Sequence, residues 1–204
     1  MAKISKVARL LLIIAGAPMV AAGCSTASSG VGTTQPPTCT AKQLEVHFFG
    51  GSAAAGTALS GYAVADSGGA ACVMRGWISV KLVTAGDKAI PAKVARGGFP
   101  AGPADHPVTV TLDAKSAAKP LSEWPAGFVI ASDDMGPDPQ PNPVCPVVGR
   151  LQIKLPGGGT YSVAANFRAC GGPPPAVGWL PILRVTPMIS AKVLHGLVGP
   201  TPSR

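Results

Sequence analysis

The chain has 204 residues, of which 47% are hydrophobic, 13% charged and 5% aromatic, with a formal net charge of +8. Its 26 glycines and 22 prolines make up close to a quarter of the residues, a density that disfavours a helical fold and points to a loop-rich β domain. Three of the 17 bases (Lys3, Lys6 and Arg9) precede Cys24, and the others are scattered singly. With no basic run and no basic stripe interleaved with aromatics, nucleic acid is not expected as a partner.

Residues 1–9, MAKISKVAR, form a basic leader, and residues 10–22, LLLIIAGAPMVAA, an apolar stretch. That stretch is shorter than the roughly 20 residues needed to span a hydrocarbon core, so 1–23 reads as a secretory signal. Its end, AAGC, resembles the bacterial lipobox, in which small residues precede a cysteine. The small residues give a peptidase access, and a thiolate is the nucleophile suited to forming a thioether with a diacylglyceryl group. Cys24 is therefore the expected lipidation site, cleavage falling after Gly23. Multiple acyl chains anchor stably where one does not. The expected location is the extracytoplasmic face of the cell membrane. Residues 24–38 lack apolar periodicity and are rich in Ser, Thr and Gly, so they read as a flexible tether spanning about 20 Å root-mean-square.

Residues 39–188 carry period-two alternation in short runs. In QLEVHFF, Leu44, Val46 and Phe48 are the inward set; LSGYAVAD follows after a small-residue turn. GWISVKLV turns Ile78, Val80 and Leu82 inward. AIPAKVA reads as a short edge strand, because Pro91 has no N–H for a ladder. PVTVTL presents Val108, Val110 and Leu112; GFVIAS comes next. RLQIKLPGGGTYSVAANF is a hairpin with Leu151, Ile153 and Leu155 on one arm and Tyr161, Val163, Ala165 and Phe167 on the other. WLPILRVTP completes the strands. DAKSAAK is the only helix candidate, and residues 189–204 read as a C-terminal tail. The expected fold is an all-β, antiparallel, immunoglobulin-like sandwich.

Cys39, Cys72, Cys145 and Cys170 are even in number and are expected in an oxidising compartment, which implies two disulfides. Each sequential pair is centred on a turn, so Cys39–Cys72 and Cys145–Cys170 is the expected pairing. There is no CxxC spacing for a metal.

The order CTAKQLEV, GSAAAGTALSGYAVADSGGAACVMRGWISVKLV, VTL, CPVVGRLQIKLPGGG and FRACGG resembles the secreted actinobacterial family called domain of unknown function 4232, over residues 39–188. Ala55 and Gly56 match its AG before the second strand, and Cys72 to Gly76 match its cysteine-to-glycine phrase with one extra residue. Asp66 stands where the family usually has Asn. The resemblance implies a lipoprotein with no known catalytic activity.

Residues with catalytic chemistry are dispersed. His47 lies on the polar phase of its strand and reads as a surface residue; His106 and His195 lack neighbours at ligand spacing, and there is no GxSxG elbow. Asp133, Asp134 and Asp138 cluster in a Pro/Gly-rich loop, but at a spacing unlike a calcium loop, so a solvated turn is the simpler reading. With Glu123 they are the carboxylates a rival hydrolase reading would use. Trp77, Trp124 and Trp179 read as core or rim residues, Trp77 with an outward phase. The expectation is a non-catalytic domain without a cofactor, which binds or organises an envelope protein or glycan; the alternatives are a secreted hydrolase and a purely structural wall lipoprotein.

Overall fold

A computed structural model describes residues 35–54, 57–99, 105–132, 146–169 and 182–199. The signal segment, Cys24, most of the tether, Asp133, Asp134, Asp138, Cys145, Cys170 and Trp179 lie outside the described residues.

Among the described residues there are twelve strands: β1 (Leu44–Ala54), β2 (Thr57–Asp66), β3 (Cys72–Met74), β4 (Ser79–Val83), β5 (Ala89–Ile90), β6 (Lys93–Arg96), β7 (Val110–Leu112), β8 (Ala126–Ser132), β9 (Val147–Lys154), β10 (Thr160–Arg168), β11 (Ile182–Val185) and β12 (Ile189–Ser190). One sheet runs β1-β2-β8-β11-β6, with β12 also on β8; a second runs β10-β9-β4-β5; β3 and β7 form a separate pair. All pairings are antiparallel except β11 with β6. The expected edge strand AIPAKVA is in fact two: β5 ends one sheet, β6 edges the other, and Pro91–Ala92 carry the chain between them. A residue without an N–H donor is suited to that break in pairing.

The two large sheets form a sandwich over one core. Tyr62, Val64, Phe128, Ile130, Leu183 and Val185 of the first sheet meet Val80, Leu82, Leu151 and Ile153 of the second. Alternation chose the right face for Ile78, Val80 and Leu82, and for Leu151, Ile153 and Leu155, all buried. Tyr161, Val163, Ala165 and Phe167 are only half-buried because β10 is an edge strand.

Other inward assignments fail. Val108 precedes β7 and is 45% exposed, since only Val110 and Leu112 sit on the ladder. Phe48 is 48% exposed, and the neighbouring Phe49 is the buried one. The β1–β2 register passes from Phe48↔Tyr62 to Gly50↔Gly61, so Phe49 is the extra residue of a β-bulge. Trp77 does not face freely outward; it packs half-buried against the core, with the Arg96 guanidinium 5.7 Å from its ring centroid.

The tail contains α1 (Ala191–Val198), the one α-helix among the described residues, which the sequence reading missed; DAKSAAK forms only a single 3₁₀ turn at Ser116–Ala118. The outer face of the first sheet thus has its own core: Phe49, Ala63, Ala65, Val129 and Ala131 pack with Trp124, Ile189, Leu194 and Val198. Covering on both faces explains why β8 is buried almost continuously rather than at alternate residues. Two glycines make room for the helix. A Cβ on Gly61 would stand 2.4 Å from Val198 Cγ2, and one on Gly127 would stand 2.4 Å from the Tyr62 carbonyl oxygen and 2.6 Å from Leu194 Cδ2.

Cys39 and Cys72 form a disulfide with a Cα–Cα distance of 4.9 Å. Both are buried, and the Cys39 N–H donates to the Val73 carbonyl at 3.0 Å. The bridge spans 33 residues. In the chain-entropy account, closing such a loop stabilises the fold by about 4 kcal/mol.

Candidate functional site

The sheets do not close fully against each other. Between them lies a cleft of about 320 Å³, lined from one sheet by Phe48, Ala58, Ser60, Tyr62, Ile130, Ser132 and Leu183, and from the other by Leu151, Ala164, Ala165, Asn166 and Phe167. Two features of the sequence open it. Small side chains (Ala58, Ser60, Ala164 and Ala165) stand where larger ones would meet. Both walls also carry a bulge: Phe49 in β1, and the Ala165–Asn166 step in β10, where the register passes from Ala164↔Arg150 to Phe167↔Val148. Each bulge bends its strand, and bulges commonly re-aim side chains beside binding sites.

The floor consists of Tyr62, Ile130, Leu151 and Leu183, all buried; Phe48, Ala164 and Asn166 are exposed at the rim. The Tyr62 ring stacks on Phe128 with centroids 5.2 Å apart, and Phe48 meets it edge-on at 5.8 Å. Burial pushes the Tyr62 hydroxyl up to about 12. At neutral pH it is therefore a hydrogen-bond donor and not a base. Among the described residues no charged side chain lines the cleft. Its polar groups are the Ser60 and Ser132 hydroxyls, the Tyr62 phenol and the Asn166 amide.

The cleft lies in the half of the sandwich nearest the β1–β2 turn. The polypeptide enters the domain in the other half. There Thr38 bridges to Val73, the Ala41 carbonyl accepts from the Tyr161 hydroxyl at 2.8 Å, and Cys39 and Ala41 pack against Gly157 and Gly159 of the β9–β10 turn.

The histidines fall on separate elements. His47 in β1 is exposed, lies 3.7 Å from Glu45 and meets the Trp124 ring edge-on at 5.1 Å. His106 is exposed in the segment before β7. His195 on α1 stacks on Phe49 at 4.6 Å. Glu123 ends a 3₁₀ turn at Leu121–Glu123. Among the described residues no three His, Cys, Asp or Glu side chains stand close enough to hold a metal. Nor is any helix of the described residues long and apolar enough to cross a membrane. Trp124 is buried, and its indole N–H donates to the Lys119 carbonyl at 3.0 Å.

Sequence reading did not find the cleft. The available signal was small residues on inward phases, above all Ala165 within TYSVAANF, but a small inward residue can equally be met by a large one opposite.

No curated protein and no solved structure matches the chain. A family match covers residues 39–188, from the first disulfide cysteine to the residue before β12, and the chain belongs to the domain of unknown function 4232 family.

Proposed function

We propose that the protein is a lipid-anchored, extracytoplasmic binding domain, held to the membrane through Cys24, that engages an envelope component through the cleft between its sheets without catalysing a reaction. The observation that carries this reading is the cleft itself: concave, mainly apolar and furnished with a few polar groups, as ligand sites generally are. A nucleophile needs a base within hydrogen-bond reach, and Tyr62, the one titratable group among the cleft's described lining residues, keeps its proton at neutral pH. The basic leader, the apolar stretch and the AAGC ending support the anchor.

The test combines release and capture. Cys24→Ala is expected to leave the membrane fraction or to accumulate as unprocessed precursor; retention at the mature mass of the wild type overturns the anchor. Photocrosslinking from position 166, at the cleft rim, in intact envelopes is expected to capture an envelope component, and crosslinking from position 106 is not. Equal capture from both positions overturns the cleft as the binding site. Purified protein is expected to leave esters, peptides and wall glycans unchanged; turnover abolished by His47→Ala, His106→Ala, His195→Ala or Asp134→Ala overturns the non-catalytic reading.

A further inference from the structure

We infer that the ligand of this cleft is an aliphatic molecule bearing an uncharged, hydrogen-bonding head group. This rests on the proposal that the cleft is the binding site. The lining crosses four adjacent strands of one sheet: Phe48 on β1, Ala58, Ser60 and Tyr62 on β2, Ile130 and Ser132 on β8, and Leu183 on β11. The lining also runs along β2 from Ala58 to Tyr62, so the cleft extends both across and along the strands, with about 320 Å³ of space.

The walls decide the chemistry. Ile130, Leu151, Leu183, Phe167 and the Tyr62 ring present apolar surface, which an aliphatic chain buries with a gain of about 0.8 kcal/mol per methylene. None of the described lining side chains carries a charge, so a carboxylate or ammonium against them would lose hydration without an ionic partner. An alcohol, amide or ester would lose less and could bond to Ser60, Ser132, Tyr62 or Asn166.

The test uses the full chain carrying Cys24→Ala, titrated with dodecanol, dodecanoate and dodecylammonium below their micelle thresholds, with native mass spectrometry and displacement of an apolar fluorescent dye as readouts. One dodecanol per chain is expected, with each charged probe weaker by about tenfold or more. Ala165→Trp, which fills the cleft from a half-buried edge position, is expected to abolish dodecanol binding while keeping the circular dichroism of the parent. Ala58→Leu is the second blocking variant, should the first fail to fold. Charged probes binding as well as dodecanol would overturn the inference. If the blocking variants exclude the dye but dodecanol never displaces it from the parent, the ligand class is wrong while the cleft survives as a site. If folded blocking variants bind every probe like the parent, the cleft is not the site and both proposals fall. Acylated wild-type chain is expected to bind dodecanol equally; loss of binding there would make its own anchor the occupant and overturn a ligand from outside the chain.

Discussion

The Ala169 N–H donates to the Pro146 carbonyl at 3.0 Å, one step beyond the last ladder pair, Val147↔Arg168, of β9 and β10. In the sequence Cys145 directly precedes Pro146 and Cys170 directly follows Ala169, so this hydrogen bond joins the chain neighbours of the two cysteines. Non-reducing peptide mapping is expected to join Cys145 to Cys170, alongside Cys39 to Cys72. A peptide linking Cys39 to either Cys145 or Cys170 would refute the pairing.

Packing of α1 on the first sheet makes a graded prediction. Leu194→Ala removes the buried centre of that contact and is expected to cost about 2–5 kcal/mol. Gly127→Ala sets a methyl against the Tyr62 carbonyl oxygen, a backbone atom that cannot move alone, at an expected cost of about 1–3 kcal/mol. Gly61→Ala meets chiefly the Val198 side chain, which can shift, and should cost less than Gly127→Ala. Urea midpoints of the three variants check the order.

The end of β2 is fastened by one side chain from a distant turn. The Asp66 N–H donates to Ser116 Oγ at 2.9 Å, and both residues are fully buried. Ser116→Ala leaves that N–H buried without its acceptor and is expected to cost about 1–3 kcal/mol. Asp66 Oδ1 in turn accepts the Gly68 N–H at 2.7 Å, while Oδ2 has no partner. Asp66→Asn keeps an acceptor for Gly68 and carries no charge into the interior, so it is expected to be better tolerated than Asp66→Ala. Equal denaturation midpoints for the two Asp66 variants would contradict this.

Tyr62 predicts an alkaline limit to stability. Its folded-state value of about 12 exceeds the usual 10, so the folded protein holds that proton more tightly than the unfolded chain. The contribution is fully present below pH 10 and is lost as pH rises through 12. It amounts to no more than about 3 kcal/mol. The chain has two tyrosines, and burial also raises Tyr161. Phenolate absorbance should therefore show both ionising late in the wild type. Tyr62→Phe should remove the latest-titrating group and flatten the fall of stability between pH 10 and 12.

Local alternation by itself determined which residues face the inter-sheet core in β4, β9 and β10, because period two is a property of each strand's own backbone. The spacing of Cys39 and Cys72 about a turn likewise determined their pairing. Tertiary structure decided the rest. The bulge at Phe49 adds one residue without a composition signal, so alternation alone placed Phe48 inside. Helix α1 is an eight-residue segment containing Gly196, too short to stand on intrinsic propensity. It owes its stability to the groove that Gly61 and Gly127 leave on strands more than sixty residues upstream in the chain. The parallel pairing of β11 with β6 joins segments separated by most of the domain. The cleft is the most non-local feature of all: it is a gap between two sheets, and a gap depends on how far apart the walls stand, which no single strand records.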